Sequence, residues 1–162
     1  MTKQQFIYNV KCHQRAVRRF LTALCCGDTA QADDLAQDTF VKAYLSLDSF
    51  RDEASFSTWI YRIAYNTFIN NRRGTPAQTV PLDDAKELNG TERTDDAFRY
   101  QALYLALGKL NEKERTAILL HYMQGYAIAE IAEITASSVD AVKQQLSRGR
   151  QHLSTILNDK KL

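Results

Sequence analysis

Proline and glycine are scarce in this chain, two and six residues among 162. Long stretches hold neither, which favours helices and argues against a β architecture built on frequent turns. No apolar run reaches the roughly 20 residues needed to span a bilayer. The residues after Met1 (Thr2, Lys3, Gln4, Gln5) offer no apolar signal core, so a cytoplasmic protein without membrane insertion is expected. Cysteine is present only as Cys12, Cys25 and Cys26, an odd number that argues against a disulfide framework. With His13 these thiols match no zinc spacing, and small buried thiols are the better reading. Histidine occurs only at positions 13, 121 and 152, none with an evident nucleophile beside it, and no glycine loop suits a phosphate. Neither an enzyme nor a bound metal or cofactor is expected.

What the chain does contain is helical periodicity on either side of one interruption. Both prolines fall between Gly74 and Pro81, and Asn89 and Gly90 follow, with no apolar pattern in between. This reads as a flexible linker, so an all-α chain of two small domains is expected: residues 1–74, a linker at 75–94, and residues 95–162. The net charge of +2 divides unevenly. Residues 1–73 hold ten Lys and Arg against seven Asp and Glu, residues 74–94 two against four, and residues 95–162 nine against eight. Two mildly basic blocks flanking an acidic connector permit nucleic-acid binding without demonstrating it.

Three helices are expected before the linker. The first buries Phe6, Val10, Val17, Phe20, Leu21 and Leu24 and ends near Gly27. The second turns Leu35, Phe40, Ala43, Tyr44 and Leu47 inward. The third opens with Ser55 as N-cap. In residues 54–73, five of twenty are aromatic, three are arginine and none is acidic. At about 100° per residue, Phe56, Ile60, Ile63 and Thr67 share one face. Tyr61, Tyr65, Phe68 and Arg72 share the opposite one, and Trp59, Arg62, Asn66 and Arg73 lie on a flank. A helix in a three-helix domain cannot bury every side, so the aromatic stripe is expected to be left for a partner. Rings beside arginines suit unpaired bases, although packing in the core competes for each ring.

After the linker, a helix over Phe98–Leu107 is followed by Asn111 and Glu114, the spacing of a capping box. The helix this box opens should stop at Gly125. A short helix with Ile128, Ile131 and Ala132, a polar turn at Thr135–Ser138 and a longer helix come next. The last helix is expected to bury Val139, Val142, Leu146, Gly149, Leu153 and Ile156. Short helix, turn, longer helix is the helix-turn-helix arrangement, whose second helix enters the major groove. Its outward positions, Asp140, Lys143, Gln144, Ser147, Arg148 and Gln151, carry side chains that can pair with phosphates and base edges.

Together these segments resemble the extracytoplasmic-function class of sigma factors in the sigma-seventy family. DDLAQDTFVKAY at 33–44 is similar to family regions 2.1–2.2, and FRDEASFSTWIYRIAYN at 50–66 to regions 2.3–2.4. LNEKERTAI at 110–118, IAEIA at 128–132 and AVKQQLSRGRQHL at 141–153 are similar to region 4. The resemblance implies an alternative sigma factor that binds RNA polymerase core and directs initiation at particular promoters. Asp33, Asp34, Gln37, Asp38 and Phe40 would dock on the clamp helices of the largest subunit, and the second domain would meet the flap of the second. Phe50, Arg51, Ser55, Trp59, Arg62, Tyr65, Asn66 and Arg73 would serve the minus-ten element, the loop from Ser49 to Ser55 receiving a flipped base. Lys143, Gln144, Ser147 and Arg148 would contact the minus-thirty-five element. A cognate anti-sigma factor is also implied. The chain departs from the family pattern at Asn70, where many relatives carry Asp, at Ala136-Ser137 in the turn, and at Gln144-Gln145, which replace a more basic pair. A regulator that binds duplex DNA through its helix-turn-helix alone is the competing reading; it leaves the acidic and aromatic helices without a role.

Overall fold

The computed structural model describes residues 1–51, 55–74 and 94–159, with side chains at 73, 74, 94–99 and 159 excepted. The expected linker therefore lies almost wholly outside the described residues. Within them the chain forms seven α-helices and no strand. The first three are α1 (Lys3–Leu24), α2 (Thr29–Leu45) and α3 (Phe56–Gly74). The second group is α4 (Thr94–Gly108), α5 (Glu112–Ile118), α6 (Ile128–Thr135) and α7 (Val139–Asp159).

Local chemistry sets the boundaries. Thr2 and Gln5 form a capping box at the start of α1. Cys26 (φ 56°) and Gly27 (φ 94°) then turn the chain through left-handed conformations, and Gly27 N–H donates to Thr22 O at 2.9 Å. Asp28 caps α2 by accepting from Gln31 N–H at 3.1 Å. Ser55 caps α3 as expected, its Oγ accepting from Thr58 N–H at 3.2 Å. The capping box of Asn111 and Glu114 opens α5. Past Ile118 the helix widens into a π turn, Leu119–Met123, and Gly125 (φ 76°) reverses the chain where a terminal glycine was expected.

The first group packs Val17, Phe20, Leu21 and Leu24 of α1 against Leu35 of α2 and Ile60, Ala64 and Phe68 of α3. Ala32, Ala36 and Ala43 keep the buried side of α2 small, which lets it approach its neighbours closely. Each large apolar side chain buried this way contributes about 1.5–3 kcal/mol relative to exposure. In the second group Leu107, Leu110, Ile118, Leu120, Ile131, Ile134, Val142 and Leu146 are buried.

These two sets of side chains form one continuous cluster, α3 packing directly on α6. Tyr61 of α3 is buried. It meets Phe20 edge-on at 5.3 Å and Tyr126 at 5.5 Å, and its hydroxyl donates to Gln124 Oε1 at 2.8 Å. Gln124 and Tyr126 flank Gly125, so the π turn and the reversal after it carry both residues to α3. Arg115 is buried where α1 and α4 end. Its guanidinium donates to the carbonyls of Leu107 (2.9 Å), Leu110 (3.1 Å) and Leu24 (2.9 Å). Carbonyls at helix C-termini carry partial negative charge, which is why a cation is tolerated there without a carboxylate.

Candidate nucleic-acid and polymerase interface

On α7, one face is fixed inward and the opposite face is left to solvent. Ala136 adopts a left-handed conformation (φ 53°), making the sharp turn between α6 and α7. Ser138 Oγ then accepts from Ala141 N–H at 3.0 Å and starts the helix. Val142, Leu146 and Gly149 are buried, and Leu153 and Ile156 are half-buried. Val139, expected inward, is exposed, because it stands in the first turn of α7 before the helix reaches its neighbours. Gly149 is required by packing: a Cβ there would lie 2.8 Å from Cγ1 of Ile118 on α5. Farther along, His152 Nδ1 lies 3.0 Å from Oε1 of the buried Glu114, and Arg150 donates to the Tyr122 hydroxyl at 3.0 Å.

With the helix held at these points, Lys143, Gln144, Ser147 and Arg148 are all exposed. Positions 143, 144, 147 and 148 share one face, so the predicted group is brought together. This face can donate to phosphates through Lys143 and Arg148. It can also offer hydrogen bonds to base edges through Gln144 and Ser147.

The aromatic helix corrects the sequence reading. Tyr61 and Phe68 were expected on a stripe left for a partner, yet both are core residues, 2% and 1% exposed. Three neighbours account for this: α1 and α2 cover α3 from its own group and α6 covers another side. What α3 leaves outward is narrower. Arg62 and Asn66 are exposed, with Trp59 and Tyr65 half-buried beside them. Trp59 is held by Phe50 (5.0 Å, edge-on) and Phe56 (5.8 Å), which fixes its indole rather than leaving it to swing. Arg51 and Ser55 are exposed and Phe50 half-buried, while positions 52–54 and the side chain of Arg73 lie outside the described residues. Beside Phe50 and Phe56, a cleft of about 570 Å³ is lined also by Met1, Gln4, Gln5, Tyr8 and Asn9. Aromatic walls with amides at the rim are the surroundings an unpaired base needs. The sequence reading did not include the α1 residues, because only folding brings the start of α1 beside Phe50.

On α2, Asp33, Asp34, Gln37 and Asp38 are exposed and Phe40 is half-buried. Asp33 pairs with Arg18 of α1 at 3.0 Å, which leaves Asp34 and Asp38 as the acids directed outward. Tyr44, expected inward, is instead 44% exposed, with Val41 at 57% and Leu45 at 76%. The inward positions go to Ala32, Ala36, Thr39 and Ala43, whose small side chains fit the tight packing. Positions 34, 37, 38, 41 and 45 therefore form a continuous outward stripe, acidic at one end and apolar at the other. Exposed apolar side chains beside charged ones are the composition of a protein-binding patch.

The thiols lie apart from these surfaces. Cys12, expected to be buried, is instead exposed on α1, while Cys25 and Cys26 are half-buried; burial pushes the Cys25 thiol up to about 12, which makes it a poor nucleophile at neutral pH.

Comparison with known proteins shows the family. The chain matches the family model of sigma-70 region 2 over residues 10–75 and that of sigma-70 region 4 over residues 100–153. It is 32% identical to the ECF RNA polymerase sigma factor SigM of Mycobacterium tuberculosis, over 90% of this chain and 73% of that one. It is 33% identical to the ECF RNA polymerase sigma factor SigW of Bacillus subtilis, over 94% of this chain and 86% of that one. Among solved structures, the sigma factor RpoE of Bartonella quintana, in complex with the anti-sigma factor NepR, superposes with a TM-score of 0.76. It is 24% identical, with 96% of this chain and 98% of that one covered. CnrH, in complex with the cytosolic domain of CnrY, gives a TM-score of 0.72 at 26% identity, covering 98% and 90%.

Proposed function

The chain belongs to the extracytoplasmic-function sigma factors of the sigma-70 family, a class of non-enzymatic transcription initiation factors, and from that premise we propose how its surfaces divide the work. The stripe on α2, Asp34, Gln37 and Asp38 with Phe40 and Val41, docks on the clamp helices of polymerase, with Asp33 at its edge paired to Arg18. The outward face of α7, Lys143, Gln144, Ser147 and Arg148, reads the minus-thirty-five element in the major groove. Trp59, Arg62, Tyr65 and Asn66 of α3, with Phe50, Arg51, Ser55 and Arg73, hold the opened minus-ten strand. The cleft beside Phe50 receives a base turned out of the duplex. Residues 1–74 then act as the melting and core-binding domain and residues 95–162 as the duplex reader, the second also meeting the flap.

The observation that carries this reading is one chain exposing a polar reading face on a helix-turn-helix together with a separate acidic and apolar docking stripe. A regulator acting on duplex DNA alone has no use for the stripe. No bond is made or broken by the protein; capture of unpaired bases shifts the duplex-to-bubble equilibrium, each stacked base contributing about 1–3 kcal/mol. An anti-sigma factor, as NepR is in the complex with the RpoE of Bartonella quintana, would act by covering these surfaces.

Transcription with purified core polymerase and a genomic fragment library tests the proposal. Discrete new transcripts that require the protein are expected, and their start sites define both promoter elements. Active core and folded protein without such transcripts would overturn it in favour of a duplex-binding regulator.

A further inference from the structure

The first helix is charged against the preferences of its own geometry. From Lys3 to Leu24, α1 holds Lys3, Lys11, Arg15, Arg18 and Arg19 and not one Asp or Glu. A helix N-terminus favours acids, yet the first turn of α1 has none and carries Lys3. Lys11, Arg15 and Arg19 stand at successive i, i+4 steps, where like charges destabilise a helix. A face that is merely solvated interleaves the two signs so that they offset each other. Here the acids are gathered on α2 instead, at Asp33, Asp34 and Asp38. Of these cations only Arg18 is answered, by Asp33 at 3.0 Å; Lys11, Arg15 and Arg19 are exposed and form no ion pair among the described residues.

The unanswered cations are lined up with an aromatic ring. At about 100° per residue, Tyr8, Lys11, Arg15 and Arg19 fall within an arc of about 80°, opposite the buried Phe6, Val17 and Leu24. They follow one another by three, four and four residues and cover about 16 Å of helix. Tyr8 is 69% exposed and forms part of the wall of the cleft beside Phe50 and Phe56. Those two rings in turn hold Trp59 of α3, at 5.0 and 5.8 Å. One surface therefore runs from the flank of α3, across the cleft, to Tyr8 and the cations beyond it.

An exposed ring followed by regularly spaced cations is what an unpaired nucleic-acid strand requires, because bases stack on the ring while phosphates meet the charges. A protein partner requires something else. Between Lys11 and Arg19 the other exposed side chains are only Cys12 and Gln14, with no aromatic or aliphatic anchor of the kind that dominates protein interfaces. The sequence reading looked for rings beside cations on α3, where most of the rings proved to be core; α1 presents the same combination on its surface.

We propose that α1 is a further single-stranded DNA surface: Tyr8 stacks the base next to the one held in the cleft, and Lys11, Arg15 and Arg19 carry the phosphates of the same unpaired strand along the helix. The minus-ten assignment above supplies that strand and is the premise; these four residues are additions to it. Phosphate contacts carry no sequence information, so the ridge sets how firmly the opened strand is held and leaves the choice of promoter to other residues. A bound strand also relieves the repulsion between the three cations, which is why the helix can keep them together.

Holoenzyme assembled from core and the full chain, titrated over a range of salt with a promoter duplex carrying a preformed bubble at the minus-ten element, tests this. The triple variant Lys11→Gln, Arg15→Gln, Arg19→Gln is expected to lower the salt slope by about two, at roughly 0.7 per single-strand phosphate, with core affinity and helix content unchanged. Tyr8→Ala should weaken bubble binding roughly fivefold or more and leave the slope as it was. Uncharged methylphosphonate linkages, walked along the opened strand, should weaken wild type at particular positions and leave the triple variant no weaker there. An unchanged slope in the triple variant, on a template that Trp59→Ala still weakens, would overturn the ridge and leave the minus-ten assignment standing. Reduced core affinity at full helix content would give these cations to an acidic protein surface of polymerase and overturn it as well. If the triple variant loses helix content, Arg15→Gln alone decides: the slope falls by about 0.7, or the ridge fails. Wild-type holoenzyme that grips the bubble no better than core alone would sink the minus-ten assignment, and the ridge with it.

Discussion

The two helices assigned to DNA, α3 and α7, solve opposite problems. One face of α7 is anchored by Val142, Leu146 and Gly149, and the other is wholly polar and exposed. By contrast α3 is enclosed on most sides, by α1 through Phe20 and by the second group through Tyr126, and shows only a flank. The contrast fits the role proposed for each. Reading an intact duplex needs hydrogen-bonding groups free to enter a groove. Holding unpaired bases needs apolar rings kept rigid and partly shielded, so that stacking is not offset by the cost of ordering them.

The largest effect that would break this comparison lies inside α3. Phe68 is 1% exposed, so Phe68→Ala should cost about 3–5 kcal/mol of stability, read as a lowered midpoint in chemical denaturation. A cost below about 0.5 kcal/mol, typical of a surface position, would return this ring to the nucleic-acid face and erase the difference between the two helices.

On α7 the same kind of truncation should do the reverse. Arg148→Ala is expected to leave stability within about 0.5 kcal/mol and weaken promoter-specific duplex binding by about 1–3 kcal/mol, measured with polymerase holoenzyme on duplex and altered minus-thirty-five elements. If Arg148 reads a base, discrimination at one position falls; if it holds a phosphate, all sequences weaken together and the salt slope drops by about one. A fall in stability with unchanged DNA binding would mean that the exposed face of α7 is not the reader.

Between these extremes stand Trp59 and Tyr65, half-buried on the flank of α3. Replacing both with Ala should impair promoter opening more than core binding, by about 1–3 kcal/mol for each stacked base. Permanganate footprinting of the bubble beside a core-binding titration separates the two. Equal loss in both assays would make these rings structural, as Tyr61 and Phe68 are.

How much of this was legible in the sequence also divides along the two helices. The caps at Ser55 and Asn111 and the glycine at 125 depend on neighbours three or four residues away, so spacing alone reveals them; the caps at Asp28 and Ser138 emerge only in the structure. The exposure of the outward face of α7 was equally plain, because what lies opposite a clean apolar stripe must face solvent. For α3 the stripe was ambiguous. Apolar residues surround that helix, and which of them face solvent is decided by partners up to 63 residues distant, as with Tyr61 and Gln124. Tyr44 was misjudged for a related reason: apolar character suggests the interior, but the tight packing of α2 accepts only small side chains. Arg115 left no signal at all, since its three acceptors are backbone carbonyls and carry no residue identity.

The subtlest contrast concerns protons. Where the end of α1 and α3 meet the second group, burial is the first cause that raises the Cys25 and Cys26 thiols and the Tyr61, Tyr104 and Tyr126 phenols. Secondary influences differ. Asp28 and Cys26 raise Cys25 further while Arg115 and Arg72 oppose it. Tyr126 adds to the rise at Tyr61 and Arg19 opposes it, Tyr100 adds to that at Tyr104, and at Tyr126 a hydrogen bond with Ser57 opposes the rise while Glu130 adds to it. A thiol or phenol with a raised value in the folded chain keeps its proton longer than in the unfolded one. Its contribution is therefore fully present below the unfolded value, and it is lost as pH climbs toward the folded value. For Cys25 that window runs from 9.0 to about 12, with at most about 1.4 kcal/mol lost per pH unit. Groups sharing one junction should weaken it together. Titration from pH 8 to 10.5 is accordingly expected to expand the chain, seen by scattering, before helix content falls. Cys25→Ala with Tyr126→Phe should move that expansion to higher pH. Simultaneous loss of dimensions and helix, unshifted by these substitutions, would mean that alkali acts on each group of helices separately rather than on the contact between them.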